Sequence, residues 1–457
     1  MDGNRDEAED HQTSSSPTME RNPSPPPGST DEDDVDAIGD TVYSKHWLFS
    51  TLTHLIQIVA KHSEESADEL QITDEEEEDL CKVWDMAMDK DVAGFLMEFK
   101  ASDILLGVIA KSRCPRLTEI CVGILGNMAC FPDTCLSLSQ NEALGEVLLL
   151  LFADSDPPTL LETSRLMLTC VSQEDVSSLW LQRIRRHTSV RSNLLFIMCS
   201  STNIELLEKV GELVDKLFDL DEELMKTWIA PAPASEESEE SDSNLDLVTC
   251  LLEATKTLRS ESPNGLETYL HVVHLLTTVE EGMLAFASSE GTGKALWNFL
   301  SELVCEDLSH TEEFPVQLQE KKSVLFLAFA VLQTLYGCQD QWGSSDDTSL
   351  SLVATILRVI EFHYKSADQS TEKDEVQDEQ IQSLAEVTAE FLADICSNIS
   401  QETLSELLKK GLLTEKNCLS AAGSLLPHFQ NAFQHLQSVL SEVDPRLADV
   451  MRKQFPA

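Results

Sequence analysis

Basic side chains are scarce in this 457-residue chain: 32 lysines and arginines stand against 81 aspartates and glutamates, a formal charge of -49. A surface of that sign repels phosphate backbones and anionic bilayers, which excludes nucleic acid and membranes as expected partners. Aromatics are few as well, 6% within a hydrophobic total of 42%. That Leu-, Ala- and Glu-rich balance suits helices packed on helices. Long apolar runs are missing, the longest being Val324 to Leu332, far short of the ~20 residues that span a bilayer. The N-terminus lacks the basic start and apolar stretch of a secretory signal, so the sequence reads as that of a soluble protein made in the cytosol. No CxxC, GxSxG or HExxH occurs, and with them go the commonest zinc, hydrolase and metalloprotease arrangements. The reading is of a protein that is not an enzyme and has no cofactor. Twelve cysteines, spaced irregularly and mostly inside apolar helical segments, read as reduced core thiols.

What is present is helical periodicity, interrupted by acidic breaks. Residues 1–40 hold 12 acidic and 2 basic side chains with Pro23, Pro25, Pro26 and Pro27, a composition that cannot bury enough apolar surface to order itself. A second acidic break covers residues 64–79, a third, Ser-rich one covers 231–244, and a polar stretch covers 366–379. The expected organisation is therefore a disordered tail at 1–40, helical repeats at 41–230, a linker at 231–244 and further helical repeats at 245–457. Within the repeats, Leu206, Leu207, Val210, Leu213, Val214 and Leu217 fall at spacings of three and four, one apolar stripe of a helix. Thr202 with Glu205, and Ser172 with Asp175, read as helix starts, while Pro115 and Pro158 fit a first helical turn. Pro115-x-Leu117-x-Glu119 recurs 43 residues later as Pro158-x-Leu160-x-Glu162, and its Leu-x-Glu part after another 46 as Leu206-x-Glu208. Those intervals match armadillo and HEAT units. The fold class is all-α, an armadillo/HEAT-like helical repeat solenoid.

Candidate sites are sparse. Gly291-Thr292-Gly293-Lys294 resembles a phosphate loop, but Ser288 and Ala295 stand where the motif needs a glycine and a hydroxyl, so it reads as a helix-entry turn. His271 and His274 lie three apart without the further ligands of a metal site. Arg183, Arg185, Arg186 and His187 form the main basic cluster, either a dock for an acidic segment or a helix C-terminus favoured by its dipole. Asn127, in Gly123 to Ala129, stands where armadillo proteins place an asparagine against an extended ligand's main chain; its other reading is structural. Ser235, Ser238 and Ser241 lie among glutamates and Asp242, and Ser24 precedes Pro25, candidates for acid-directed and proline-directed phosphorylation.

Longer motifs carry a resemblance. TVYSKHWLF from Thr41, VWDMAMDKDVA from Val83, CPRLTEICVGILGNMACF from Cys114, DSDPPTLLETSRL from Asp154 and GELVDKLFDLDEELM from Gly211 are similar to the serum amyloid A-like protein 1 family. The resemblance implies an armadillo-type fold, a nuclear location, no enzymatic activity and an association with proliferation of synovial fibroblasts under inflammatory stimuli. The function it points to is a scaffold that holds other proteins; the alternative is a transport or chaperone-type receptor that captures basic cargo.

Overall fold

The computed structural model describes residues 36–64, 72–230, 245–288, 291–308, 318–342, 350–369 and 378–456. Among these the chain is helical throughout apart from short turns and one isolated bridge, Ala37 to Ser44. The helices fall into three rows. A third-helix row is formed by Asp74–Met86, Pro115–Met128, Pro157–Val171, Ile204–Leu220, Pro263–Thr277, Lys322–Tyr336, Glu379–Asn398 and Gln430–Val443, each packed on the next. A second-helix row runs beside it through Lys45–Glu64, Ala101–Ile109, Glu142–Leu150, Thr188–Ser200, Leu247–Leu258, Thr292–Glu302, Leu350–Gln369 and Glu415–Leu425. Shorter first helices, among them Lys90–Glu98, Pro132–Gln140 and Glu174–Arg186, close the triangle. Three helices per unit, repeated side by side, make the molecule an armadillo-like solenoid. Its buried residues run as one cluster from Ile38 to Met451, which is how a chain of this length avoids the size limit on a single core: each unit buries its apolar face only against its neighbours.

The row explains both the clear period of the first half and its loss in the second. Third helices begin at residues 74, 115, 157 and 204, then at 263, 322, 379 and 430. The intervals are 41, 42 and 47 residues, followed by 59, 59, 57 and 51. The three longest of these intervals contain residues 231–244, 309–317, 343–349 and 370–377, all outside the described residues, while the interval of 51 is described throughout. Packing continues across the first of these segments. The Tyr269 hydroxyl, fully buried, donates to the Leu207 carbonyl at 3.0 Å, and the helix Thr188–Ser200 packs on Leu247–Leu258. Residues 231–244 thus interrupt one unit between its first and second helices instead of separating two stacks. The helix Leu350–Gln369 likewise runs four residues into the polar stretch expected from 366.

Local signals set the helix ends, with shifts of a residue or more. Pro115 opens its helix as expected, and Pro157 joins Pro158 in the first turn of the next third helix. The expected start at Thr202 is replaced by Asn203, whose side chain accepts from the Leu206 N–H at 3.0 Å. Gln173, without a side-chain cap, stands where Ser172 was expected; its amide donates instead to the Ala129 carbonyl one unit back. The acidic run at 64–79 is not a break throughout. Thr73 and Glu76 form a capping box, and Asp74 to Glu77 fill the first helical turn, where carboxylates favour the positive end of the helix dipole.

Two glycines show how closely the third helices approach. A Cβ on Gly123 would overlap the Trp84 indole of the preceding helix, and one on Gly211 would overlap the Tyr269 ring of the following helix. In each case an aromatic lies directly on its neighbour's backbone.

Candidate partner-binding surface

The exposed face of the third-helix row is continuous from helix to helix, because every third helix turns its apolar stripe inward. A depression of about 680 Å³ crosses four consecutive third helices. Asp215 lines it from the first, Glu267, Thr268 and His271 from the second, Phe326 and Leu327 from the third, and Glu379 and Ser383 from the fourth. Phe326 and Leu327 give the floor an apolar part beside Glu267, Thr268 and His271, and the flanks are acidic. On Ile204–Leu220 the partly exposed Glu208, Glu212 and Asp215 precede exposed Asp219, and on Glu379–Asn398 Glu379, Ser383, Glu386, Glu390 and Asp394 are all exposed. Spacings of three and four make each set a ridge along one helix face.

The acids differ in how they are compensated. Lys209 bonds Glu212 at 2.5 Å and Lys216 bonds Asp219 at 3.4 Å. Asp215 contacts His271 Nδ1 at 2.6 Å, and that carboxylate holds His271 above the ordinary imidazole range. His274, one turn on, stands edge-to-face with Phe326 at 6.2 Å and is pushed down by burial. His271 thus lines the groove beside its carboxylate partner, and His274 packs on Phe326; among the described residues no cluster of three potential metal ligands occurs. Glu267, Glu379, Glu386, Glu390 and Asp394 form no ion pair among the described residues, though Gln382 donates to Glu386 at 3.0 Å and Gln333 to Asp394 at 3.2 Å.

The residues singled out from the sequence take other places. Asn127 is buried, its Nδ2 donating to the Trp84 carbonyl at 2.8 Å and its Oδ1 accepting from Arg165 at 3.2 Å. It ties three third helices together. Arg165 also pairs with Glu162 at 2.6 Å, and burial still holds that carboxyl above its ordinary range.

The four members of the basic cluster diverge. Arg183 is buried with its guanidinium 4.8 Å above the Trp180 ring, in the space that the absent side chain of Gly145 leaves. Burial pulls its pKa down. Arg185 pairs with Asp221, itself the cap of the following helix, and His187 contacts Glu146 at 2.8 Å. Arg186 is exposed beside Arg185 and Asp221 in a shallow depression. The helix C-terminus holds three of the cluster's side chains in intramolecular contacts. Ser24, Ser235, Ser238 and Ser241 lie outside the described residues.

The thiols follow burial. Cys250, Cys396 and Cys418 are pushed up to about 12, and all twelve cysteines are free. Cys135 and Cys170 touch in the core at 3.9 Å. Lys294 follows a left-handed Gly291 that opens the helix Thr292–Glu302, as a plain helix-entry turn requires. Among the described residues no single helix is long and apolar enough to cross a membrane.

Residues 190–433 match the family model of the SAAL1 C-terminal domain. A Danio rerio protein, "Protein saal1", is 53% identical over 99% of this chain and 97% of its own length. The chain belongs to the SAAL1 family. The Homo sapiens member is 46% identical over 96% of this chain and 99% of its own, and the Xenopus tropicalis member is 45% identical over the same shares. The family match begins inside the helix Thr188–Ser200 and runs through residues 231–244, so the interrupted unit lies wholly within it. Among solved structures, a designed armadillo repeat protein aligns with 62% of this chain and 99% of its own at 15% identity, with a TM-score of 0.40.

Proposed function

We propose that this SAAL1-family chain is a non-enzymatic scaffold that holds a protein segment along the exposed face of its third-helix row. The observation that carries the reading is the groove over four consecutive third helices, with Thr268 and Phe326 at its centre. Solenoids present such faces because side-by-side stacking leaves one extended surface free. The family resemblance adds the expectation of a nuclear location and of a role in cell proliferation, which a tagged chain followed by microscopy and a growth assay on depleted cells would check. A photo-crosslinking residue placed at Thr268 should capture a reproducible protein partner, and the same residue at Gln57, exposed on the second-helix row, should not. Equal capture from both positions, or none from either, would overturn the reading.

A further inference from the structure

We infer that the segment held in this groove is an extended lysine- or arginine-rich peptide carrying one apolar residue near its middle. The inference rests on the scaffold reading and narrows it to one partner chemistry. Four adjacent third helices line the groove. At roughly 8–10 Å between packed helix axes they span about 24–30 Å, and at about 3.3 Å per residue an extended chain crosses that distance in eight or nine residues.

Charge decides the chemistry. No lysine or arginine is among the lining residues, and the cations closest in sequence are already engaged: Lys322 with Asp378, Lys321 with the Asp307 carbonyl, Lys209 with Glu212 and Lys216 with Asp219. Asp215 is taken by His271. Glu267 lies in the valley and Glu379 on its far wall, with Glu386, Glu390 and Asp394 continuing that wall along the helix. An acidic or neutral segment laid here would desolvate these carboxylates without compensation, whereas lysine or arginine side chains would meet them. Between the walls Phe326 and Leu327 offer an apolar floor, the place for an aliphatic side chain of the guest.

A chain this acidic attracts any polycation diffusely, so the test must separate the groove from net charge. The probe is a fluorescein-labelled nonapeptide of alternating lysine and alanine with a central leucine, titrated by anisotropy against the full chain. Glu267→Lys with Glu379→Lys should weaken it at least about tenfold at ~0.1 M salt, and Glu267→Gln with Glu379→Gln should act in the same direction by less. Reversing two remote carboxylates, Glu98→Lys with Asp133→Lys, should change affinity less than about twofold, because the screening length at that salt is about 10 Å. Phe326→Ala should weaken binding several-fold while leaving its salt dependence unaltered. Equal losses from the groove and remote reversals would overturn the inference in favour of diffuse attraction, and so would equal binding of a glutamate version of the peptide. If the lysine peptide fails to bind while Thr268 still crosslinks a partner, the basic-segment inference falls and the scaffold stands; failure of both removes both.

Discussion

Replacing Tyr269 by alanine tests whether the stack is one structure across residues 231–244. The ring is fully buried on Gly211, and its hydroxyl donates to the Leu207 carbonyl, so the substitution opens a cavity at the junction between Ile204–Leu220 and Pro263–Thr277. Removing a buried large aromatic costs about 3–5 kcal/mol, of which the hydroxyl's bond accounts for about 1 kcal/mol. In a nearest-neighbour stack that loss falls on the junction and fades with distance. Amide hydrogen exchange read by mass spectrometry resolves it: about 4 kcal/mol corresponds to nearly three decades in exchange rate at roughly 1.4 kcal/mol per decade. Protection should drop by that amount in the two junction helices and scarcely in Asp74–Met86. Tyr269→Phe keeps the ring and should cost about fivefold. The reasoning fails if Tyr269→Ala raises exchange in Ile204–Leu220 by less than about tenfold, or by the same factor throughout the chain.

Four further outcomes follow from the same geometry. Gly123→Ala drives a methyl into the Trp84 ring and should destabilise by about 1–3 kcal/mol in thermal unfolding; a neutral result would mean that the indole moves freely. Arg183→Ala removes a buried cation over Trp180 and should cost about 1–2 kcal/mol, against almost nothing for exposed Arg186→Ala. In an NMR titration His271 should titrate above the ordinary imidazole value and His274 below it. The sign for stability follows: the raised His271 contributes below the unfolded-state value of about 6.5 and loses that contribution as pH rises through its folded value. The lowered His274 opposes it, costing stability as pH falls below about 6.5, and Asp215→Asn should remove the His271 part alone. Iodoacetamide on the native chain should modify exposed Cys130 first, while the buried thiols react only in denaturant; early labelling of Cys396 would contradict its complete burial.

The fold was legible wherever sequence spacing alone carries it. The apolar stripe from Leu206 to Leu217 and the prolines at 115 and 157–158 mark third helices of nearly constant period. After residue 230 the stripes persist but the units lengthen unequally, to between 51 and 59 residues, so self-comparison at a fixed interval finds nothing. From sequence Asn127 fits either a ligand or a structural bond, because its partners, Trp84 and Arg165, stand 43 and 38 residues away, beyond any local pattern. The groove leaves a partial signal in the sequence. Glu208, Glu212, Asp215 and Asp219 follow helical spacing, as do Glu379, Glu386, Glu390 and Asp394, but nothing in the linear order shows that these two helices flank one valley.

The uneven unit lengths carry a consequence for how such a chain can change. Third helices stay within 13–20 residues while most of the added residues fall between helices, so the register of side chains along the exposed face is insulated from growth in those segments. A foreign sequence spliced into 231–244 should leave that face unaltered, whereas one residue inserted inside Pro263–Thr277 would rotate every following side chain by about 100° and dismantle it.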